Sequence, residues 1–523
     1  MLGQTLFQQP LFTTIDLNTF VPNDHLLKRL DKVLDLSFIR ELAQPYYHQK
    51  DGRPSIDPMI FFRMQIVAYM YGIDSDRRLC EEVHLNMAYR WFTRIPIEEK
   101  VPDHSSLSRT LTRLGKDFFD DVFDRILEQC RSIGLLKGER LMTDASLFEA
   151  NASPDSLVKI DNVIDINEPA KKKDSRTSAT KKPAEENAEK GKASAAESSK
   201  PKKKTSVTNA THISKTDPNA KIVSKAGTSN KRLYYKTHHT ADADSRVITD
   251  CFVTPGNTGD NCPTEERLTM QMFKYGFKVE EFLADRFYGN GEFYKFLDNL
   301  NITAYIPIRR ESFNQGHGSN IGFSYDKTKD TYTCKQGHVL TPYKNPVGAA
   351  GNTYVYRMLG GHCKTCPIKD NCLSGKGQLK DKTKKINRNI NEEYINKAKE
   401  HSTTSEFKAH VHERFWKMEG LFAEGKENHC LKRAKYRGID KVQVQVKMSS
   451  IVQNMKRILK HTESRLKGPK AAEMAAGQRP SQAFLRSIGS NLANLCSVIA
   501  ISAARMDNLK KIFNGLRFSA RFY

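Results

Sequence analysis

Between Asn167 and Ser229 the chain runs through Lys, Ala, Ser, Thr and Glu with almost no large apolar side chain, as in KKPAEENAEKGKASAAESSKPKKKTS. Such a stretch buries too little surface to offset the entropy lost on ordering, so residues 161–229 read as a disordered insertion. Its position constrains the fold. It follows the first convincing strand, ERLMTDASLFEAN (139–151). Order resumes at KRLYYKTHHTAD (231–242) and RVITDCFVTPG (246–256), a β-hairpin closed by the ADADS turn. Any sheet built from these strands must accept a large insertion after its first member.

The alternation that follows defines the fold class. CPTEERLTMQMFKYG (262–276) is a helix ending at Gly276, and KVEEFLADRFYGN (278–290) a buried strand running into a turn. NGEFYKFLDNLN is a helix and ITAYIPI (302–308) another apolar strand. Three strands, a helix, a strand, a helix and a strand make a mixed α/β core. Residues 309–408 form a second insertion, polar and cysteine-bearing, and 409–462 return to the core with a helix from Trp416 to about His429 and a long amphipathic one over 438–460. The core thus comprises 136–160, 230–308 and 409–462, and 463–523 is a basic, weakly helical tail.

Residues 1–135 look all-helical. DPMIFFRMQIVAYMYGI (57–73) is an apolar helix with Pro58 early, where proline is tolerated. DSDRRLCEEVHLNMAYRWF (74–92) reads as one amphipathic helix. In VPDHSSLSRTLTRLG (101–115), Asp103 or Ser105 caps a helix that bears Arg109 and Arg113 and ends at Gly115. KDFFDDVFDRILEQCRSIG (116–134) closes the set. Short helices with a capped, basic member suit either a helix-turn-helix DNA reader or a plain helical bundle.

Charge narrows the partner. Lys and Arg number 84 against 60 Asp and Glu, a net charge of +24, which points to a polyanion, nucleic acid before an anionic membrane surface. The longest apolar stretch near the end, Leu495 to Ala504, is too short to span a bilayer, and no leader pattern opens the chain. Ten scattered cysteines are too few for a disulfide scaffold, which favours a reducing, cytoplasmic compartment.

Three acids sit where chemistry is expected. Asp144 lies in or at the end of the first strand, Asp285 follows the fourth, and Glu419 rides a later helix. Strand ends of an open α/β sheet are where ligands bind, and converging carboxylates there would hold one or two Mg²⁺ ions, though each acid alone also suits a turn or a cap. Glu419 and Lys426 share a helix face about 10 Å apart, so both can address one phosphate. Gly420 and Gly425 weaken that helix but permit close approach. Beyond it Lys432, Arg433, Lys435 and Arg437 form a phosphate-contact strip around Tyr436. His238 and His239 read as strand or phosphate-contact residues rather than general bases. In YTCKQGH and HCKTCPIKDNC, Cys334, Cys363, Cys366 and Cys372 are candidate ligands of a structural Zn²⁺, with His338 and His362 as substitutes and free thiols as the alternative.

TDASLFEANAS, FLADRFYGNGEF and MEGLFAEGKENHCLKRAKYRG resemble, in this order, the three catalytic blocks of DDE transposases from bacterial insertion sequences. DPMIFFRMQIVAYMYGIDSDRRL and VPDHSSLSRTLTRLG resemble that family's DNA-binding domain. The resemblance implies a ribonuclease-H-like mixed sheet with helices, preceded by an all-α domain and interrupted by two insertions. It also implies a metal-binding triad of Asp144, Asp285 and Glu419 with two Mg²⁺ or Mn²⁺ ions, double-stranded DNA as substrate, and a homo-oligomer in the active complex. Glu419 and Lys426 keep the six-residue gap of the family's tyrosine-arginine-glutamate-lysine signature, whereas Arg414 is out of its usual spacing and no tyrosine precedes it at the usual distance. The implied DNA contacts are Arg414, Lys426, Arg433, Lys435, Arg437, Arg109 and Arg113. The implied reaction is hydrolysis at each element end followed by attack of the freed 3′-hydroxyl on target DNA. A non-catalytic DNA-binding relative and a simple metal nuclease are the rival readings.

Overall fold

The helices that open the chain are α1 (Leu17–Phe20), α2 (Leu26–Val33), α3 (Phe38–Ala43), α4 (Pro58–Met70), α5 (Asp76–Leu85), α6 (Met87–Thr93) and α7 (His104–Ser132). The computed structural model describes residues 16–47, 55–160, 207–224, 231–308, 322–347, 353–373 and 383–466. α4 is apolar around its circumference because it is surrounded: Phe61, Phe62, Ile66 and Val67 are all fully buried. Asp57 caps it by accepting the Met59 N–H, with Pro58 at the first position. The single helix expected over 74–92 is two. Asn86 adopts extended backbone angles (φ −95°, ψ 113°), and its side chain accepts the N–H groups of Ala88 and Tyr89. A residue that satisfies a new helix start ends the old one. In α7 the cap is Asp103, which accepts the Ser105 N–H, and Gly115 breaks the helical path at φ 65°, ψ −175°.

The mixed sheet contains β1 (Arg140–Glu149), β4 (Lys221–Ser224), β5 (Lys231–Asp242), β6 (Ile248–Pro255), β7 (Glu281–Leu283) and β8 (Thr303–Tyr305). β1 pairs antiparallel with β5 on one side and parallel with β7 on the other. β5 continues antiparallel to β6, and β7 parallel to β8. Helices α8 (Thr264–Tyr275) and α9 (Gly291–Asn299) follow β6 and β7. Gly276 ends α8 in the left-handed conformation at φ 63°.

Part of the segment expected to be disordered is ordered. β3 (His212–Ser214) pairs with β2 (Leu157–Lys159), and β4 extends the start of β5. The stretch is fixed by side chains bonding across it: Asn209 exchanges hydrogen bonds with the Ile222 backbone, and the Tyr235 hydroxyl donates to Asp217 at 2.6 Å. Residues 161–206 and 225–230, and the tail from 467, lie outside the described residues.

The cysteine-bearing region forms a five-stranded antiparallel sheet in the order of its strands: β9 (Ser324–Asp326), β10 (Thr331–Thr333), β11 (Val339–Val347), β12 (Thr353–Met358) and β13 (Lys385–Asn389), with a helical turn α10 (Lys369–Cys372). It ends before α11 (Glu392–His401), which packs on α9 and places Ile395 and Ala398 in the main core. α12 (Ser405–Asn428) and α13 (Ile439–Leu466) follow. The opening helices are not a detached module. They share one apolar core with the mixed sheet and α12, and the chain through Leu459 is one compact unit. Lys447 on α13 pairs with Asp120 on α7 at 2.9 Å, and the Tyr275 hydroxyl donates to Asp124 at 2.7 Å. No helix among the described residues is long and apolar enough to cross a membrane.

Asn86→Ala removes the cap that starts α6 and should lower unfolding free energy by about 1 kcal/mol, while Asn86→Asp keeps most of it. Chemical denaturation of the two variants beside the parent measures this; equal losses would mean the side-chain cap is not what breaks the helix.

Candidate functional site

Asp144 sits inside β1, directly across from His239 of β5. On the other side the parallel register runs Arg140↔Glu281, Leu141↔Phe282, Met142↔Leu283. Continued two residues past its last pair, that register would set Asp144 of β1 level with Asp285, just beyond the end of β7. Asp285 begins the turn after β7, its Oδ1 accepting the Arg286 N–H at 2.7 Å. Glu419 is exposed on α12, and that helix packs across β1, β7 and β8.

The electrostatics of Asp144 tie the three acids together. Its carboxyl is pushed up to about 6, chiefly by burial, and Asp285 and Glu419 both add to the rise by like-charge repulsion. Opposing them are the guanidinium of Arg414, whose Nη2 lies 2.5 Å from Oδ2, and the Ala145 N–H, which donates to Oδ1 at 2.8 Å. Arg414 is buried, so this is a low-dielectric ion pair between α12 and β1 rather than a surface contact. The sequence reading that sent Arg414 to DNA is corrected: its charge is spent on Asp144. Lys426, two turns after Glu419, donates to Ser146 Oγ at 2.8 Å and lies over the Phe422 ring. A Cβ at Gly420 would meet Arg246 at 3.1 Å, and one at Gly425 would meet Leu431 at 2.7 Å, so both glycines serve side-chain packing.

Lys435 is the second correction. Its ammonium is buried against Asp76 of α5 at 2.6 Å, which joins the core to the opening helices and removes it from any DNA face. Arg433, Arg437, Arg109 and Arg113 are exposed. Arg437 reaches the Asn151 carbonyl at 3.1 Å, and Arg113 lies over the Tyr47 ring. His238 and His239 are buried strand residues, both pushed down to about 3 by burial, hence neutral and not phosphate contacts. His238 hydrogen-bonds Thr254 at 2.9 Å, and His239 meets Phe422 edge-on.

Residues 15–113 match the family described as Transposase domain (DUF772), and residues 333–459 match the Transposase DDE domain. Both matched domains are transposase domains, and together they support a DDE transposase. The second match contains Glu419, Lys426 and the four cysteines, whereas Asp144 and Asp285 fall outside both stretches. No curated protein matches. Among solved structures, the chain resembles the piggyBac transposase synaptic complex with hairpin DNA at 10% identity and a TM-score of 0.30. That match covers 89% of this chain and 82% of that one, a likeness too low to carry an argument.

Sequence reasoning missed one cluster in this chain. Among the described residues, Glu281, Glu406 and His410 are the group that brings three donor atoms within 4.8 Å of one another. The i, i+4 spacing of Glu406 and His410 on α12 was the available signal. Arg140 already binds Glu281 at 2.7 Å and also reaches Asp244 and Glu413, so the cluster is part of an ion-pair network beneath the site. Cys334, Cys363, Cys366 and Cys372 come together around one cavity of the small sheet.

The raised Asp144 has a stability consequence. Its folded value of about 6 exceeds the unfolded 3.8, so its contribution is full below pH 3.8 and is lost as pH rises through about 6. In metal-free buffer, Asp144→Asn escapes that loss. Its stability relative to the parent should improve by about 2–3 kcal/mol between pH 4 and pH 7.5. Melts that stay parallel with pH would mean Asp144 titrates normally.

Proposed function

We propose that this transposase cuts DNA at the ends of a bacterial insertion sequence and joins the freed ends to target DNA, working as a homo-oligomer on double-stranded DNA. The reading rests above all on one observation: a buried carboxyl, Asp144, raised to about 6 in part by the two other acids of the expected triad. The order of the mixed sheet, with antiparallel β5 on one side of β1 carrying β6 and the short β4 beyond it and parallel β7 and β8 on the other side, supports a ribonuclease-H-like core.

The donor set fits divalent metal. Three carboxylates that repel one another are relieved by a hard cation, and Asp144, Asp285 and Glu419 would hold one or two Mg²⁺ or Mn²⁺ ions. Arg414 and the Ala145 N–H each take one Asp144 oxygen, and each oxygen keeps a second lone pair. Bound ions would supply activation of the attacking oxygen and stabilisation of the leaving oxygen of the phosphodiester. The chain's own residues do the rest. Arg414 keeps Asp144 more ionised than burial alone allows. Ser146 orients Lys426 toward an end phosphate, with Arg433 and Arg437 on the same basic run, and Arg109 and Arg113 on α7 contact DNA from the helical region.

Cleavage and joining on DNA carrying the gene's own flanks, with Mg²⁺ or Mn²⁺, tests the reading. Cutting at the ends should fall at least about 10³-fold in Asp144→Asn, Asp285→Asn and Glu419→Gln with DNA binding intact, since each removes a transition-state contact. Binding without cutting by the parent would make it an inactive relative, and cutting without joining a nuclease. Cleavage should also weaken in acid, at a pH below the metal-free value of about 6, as protons compete with the metal for Asp144. Arg414→Ala should move that acid limb to higher pH, because the counter-charge is gone; an unmoved limb would detach Arg414 from the chemistry.

A further inference from the structure

The sheet β9–β13 has little core of its own. Its buried apolar cluster is Leu340, Tyr356, Met358, Cys363 and Ile386. A unit with so small a core ordinarily needs a covalent or metal staple. Its four thiols are free of disulfides and arrive from three separate places: Cys334 after β10, Cys363 and Cys366 in the turns after β12, and Cys372 at the end of α10. All four line one cavity of about 30 Å³, whose wall includes His338 and His362 with rings stacked at 4.2 Å. That is room for a single small occupant.

The backbone around them is arranged for sulfur ligands. The Gln336 N–H donates to Cys334 Sγ at 3.4 Å, and the Gly337 N–H to the Cys334 carbonyl at 2.9 Å, with Gly337 at φ 80°. This tight turn aims one backbone N–H at the sulfur. The Lys369 N–H donates to the Cys366 carbonyl at 3.2 Å, and the Cys372 N–H to the Ile368 carbonyl at 3.0 Å, so α10 carries the fourth sulfur back to the second knuckle. Lys384 puts its ammonium on the Cys372 carbonyl at 3.1 Å and faces the same cavity, a positive charge against a thiolate shell.

We propose that Cys334, Cys363, Cys366 and Cys372 bind one structural zinc ion that staples this sheet. Four soft thiolates select zinc over the magnesium of a carboxylate site, and a closed sulfur shell leaves no open position for catalysis. Each thiol releases its proton to solvent as its sulfur binds. The sulfurs stand more loosely than 4.8 Å in threes, so binding contracts the turn and α10 onto the ion.

The full chain, purified without chelator from zinc-supplemented cells, should contain one zinc per chain by atomic emission. Cys334→Ser and the double variant Cys363→Ser/Cys366→Ser should lose it, while Asp144→Asn keeps it, which separates this site from the carboxylates. Exchanged Co²⁺ should give visible absorption of a tetrahedral thiolate complex, a readout on the parent that stands even where the cysteine variants fail to fold. Zinc far below one per chain with no cobalt band would overturn the proposal, as would zinc that survives the double variant or leaves with Asp144→Asn.

Discussion

The ion pair between Arg414 and Asp144 is the contact on which the site's geometry depends. It sets a charged group of α12 against a charged group of β1 in a buried place, where neither is tolerable alone. It also fixes how α12 lies on the sheet, and therefore where Glu419 and Lys426 stand relative to Asp144. The far end of the helix is fixed in the same way. Glu424 is held well below the usual carboxylate range by its hydrogen bonds to His429, Arg457 and Lys456, against its burial. His429 meets the Tyr69 carbonyl of α4 at 2.7 Å. A helix pinned at both ends by buried charge has one seat.

That seat sets α12 against the strands that carry the other two acids of the proposed triad. β1 and β7 are parallel neighbours, so their register leads toward Asp144 within β1 and Asp285 just past the end of β7. The intervening chain can lengthen at surface connections with little penalty, because loop closure costs grow only slowly with length. The second insertion uses this freedom to carry a separate small sheet between β8 and α11. A net charge of +24 suits the proposed DNA substrate, since the proposed acidic triad would repel it and basic residues would have to draw it in.

Much of this was legible in the sequence, and the failures have physical causes. Strands β1, β5 and β6, the Gly276 stop, the Asp57 and Asp103 caps and the Gly115 break all follow from local rules that the backbone obeys wherever it goes. The places of Asp144 in β1, Asp285 just past β7 and Glu419 on α12 were legible from the strand and helix pattern; their union as a triad came from the resemblance and stands as a proposal. Asn86 was hidden inside an amphipathic period that runs on through it, and only the cap geometry reveals two helices. Lys435 was misread because a basic residue in a basic run looks solvated, and Arg414 because the family signature pointed it at DNA; their partners, Asp76 and Asp144, are hundreds of positions away. Residues 207–224 were grouped with their polar neighbours because their order comes from pairing with β2 and β5, which composition does not record.

The central claim is that Asp144, Asp285 and Glu419 share metal. Fe²⁺ substituted for Mg²⁺, with ascorbate and peroxide, generates hydroxyl radicals that cut the backbone beside the bound ion. Mapping those cuts on the full chain should give fragments ending near positions 144, 285 and 419 together, suppressed by excess Mg²⁺. Cuts confined to the neighbourhood of Glu281, Glu406 and His410, or none that Mg²⁺ suppresses, would contradict it.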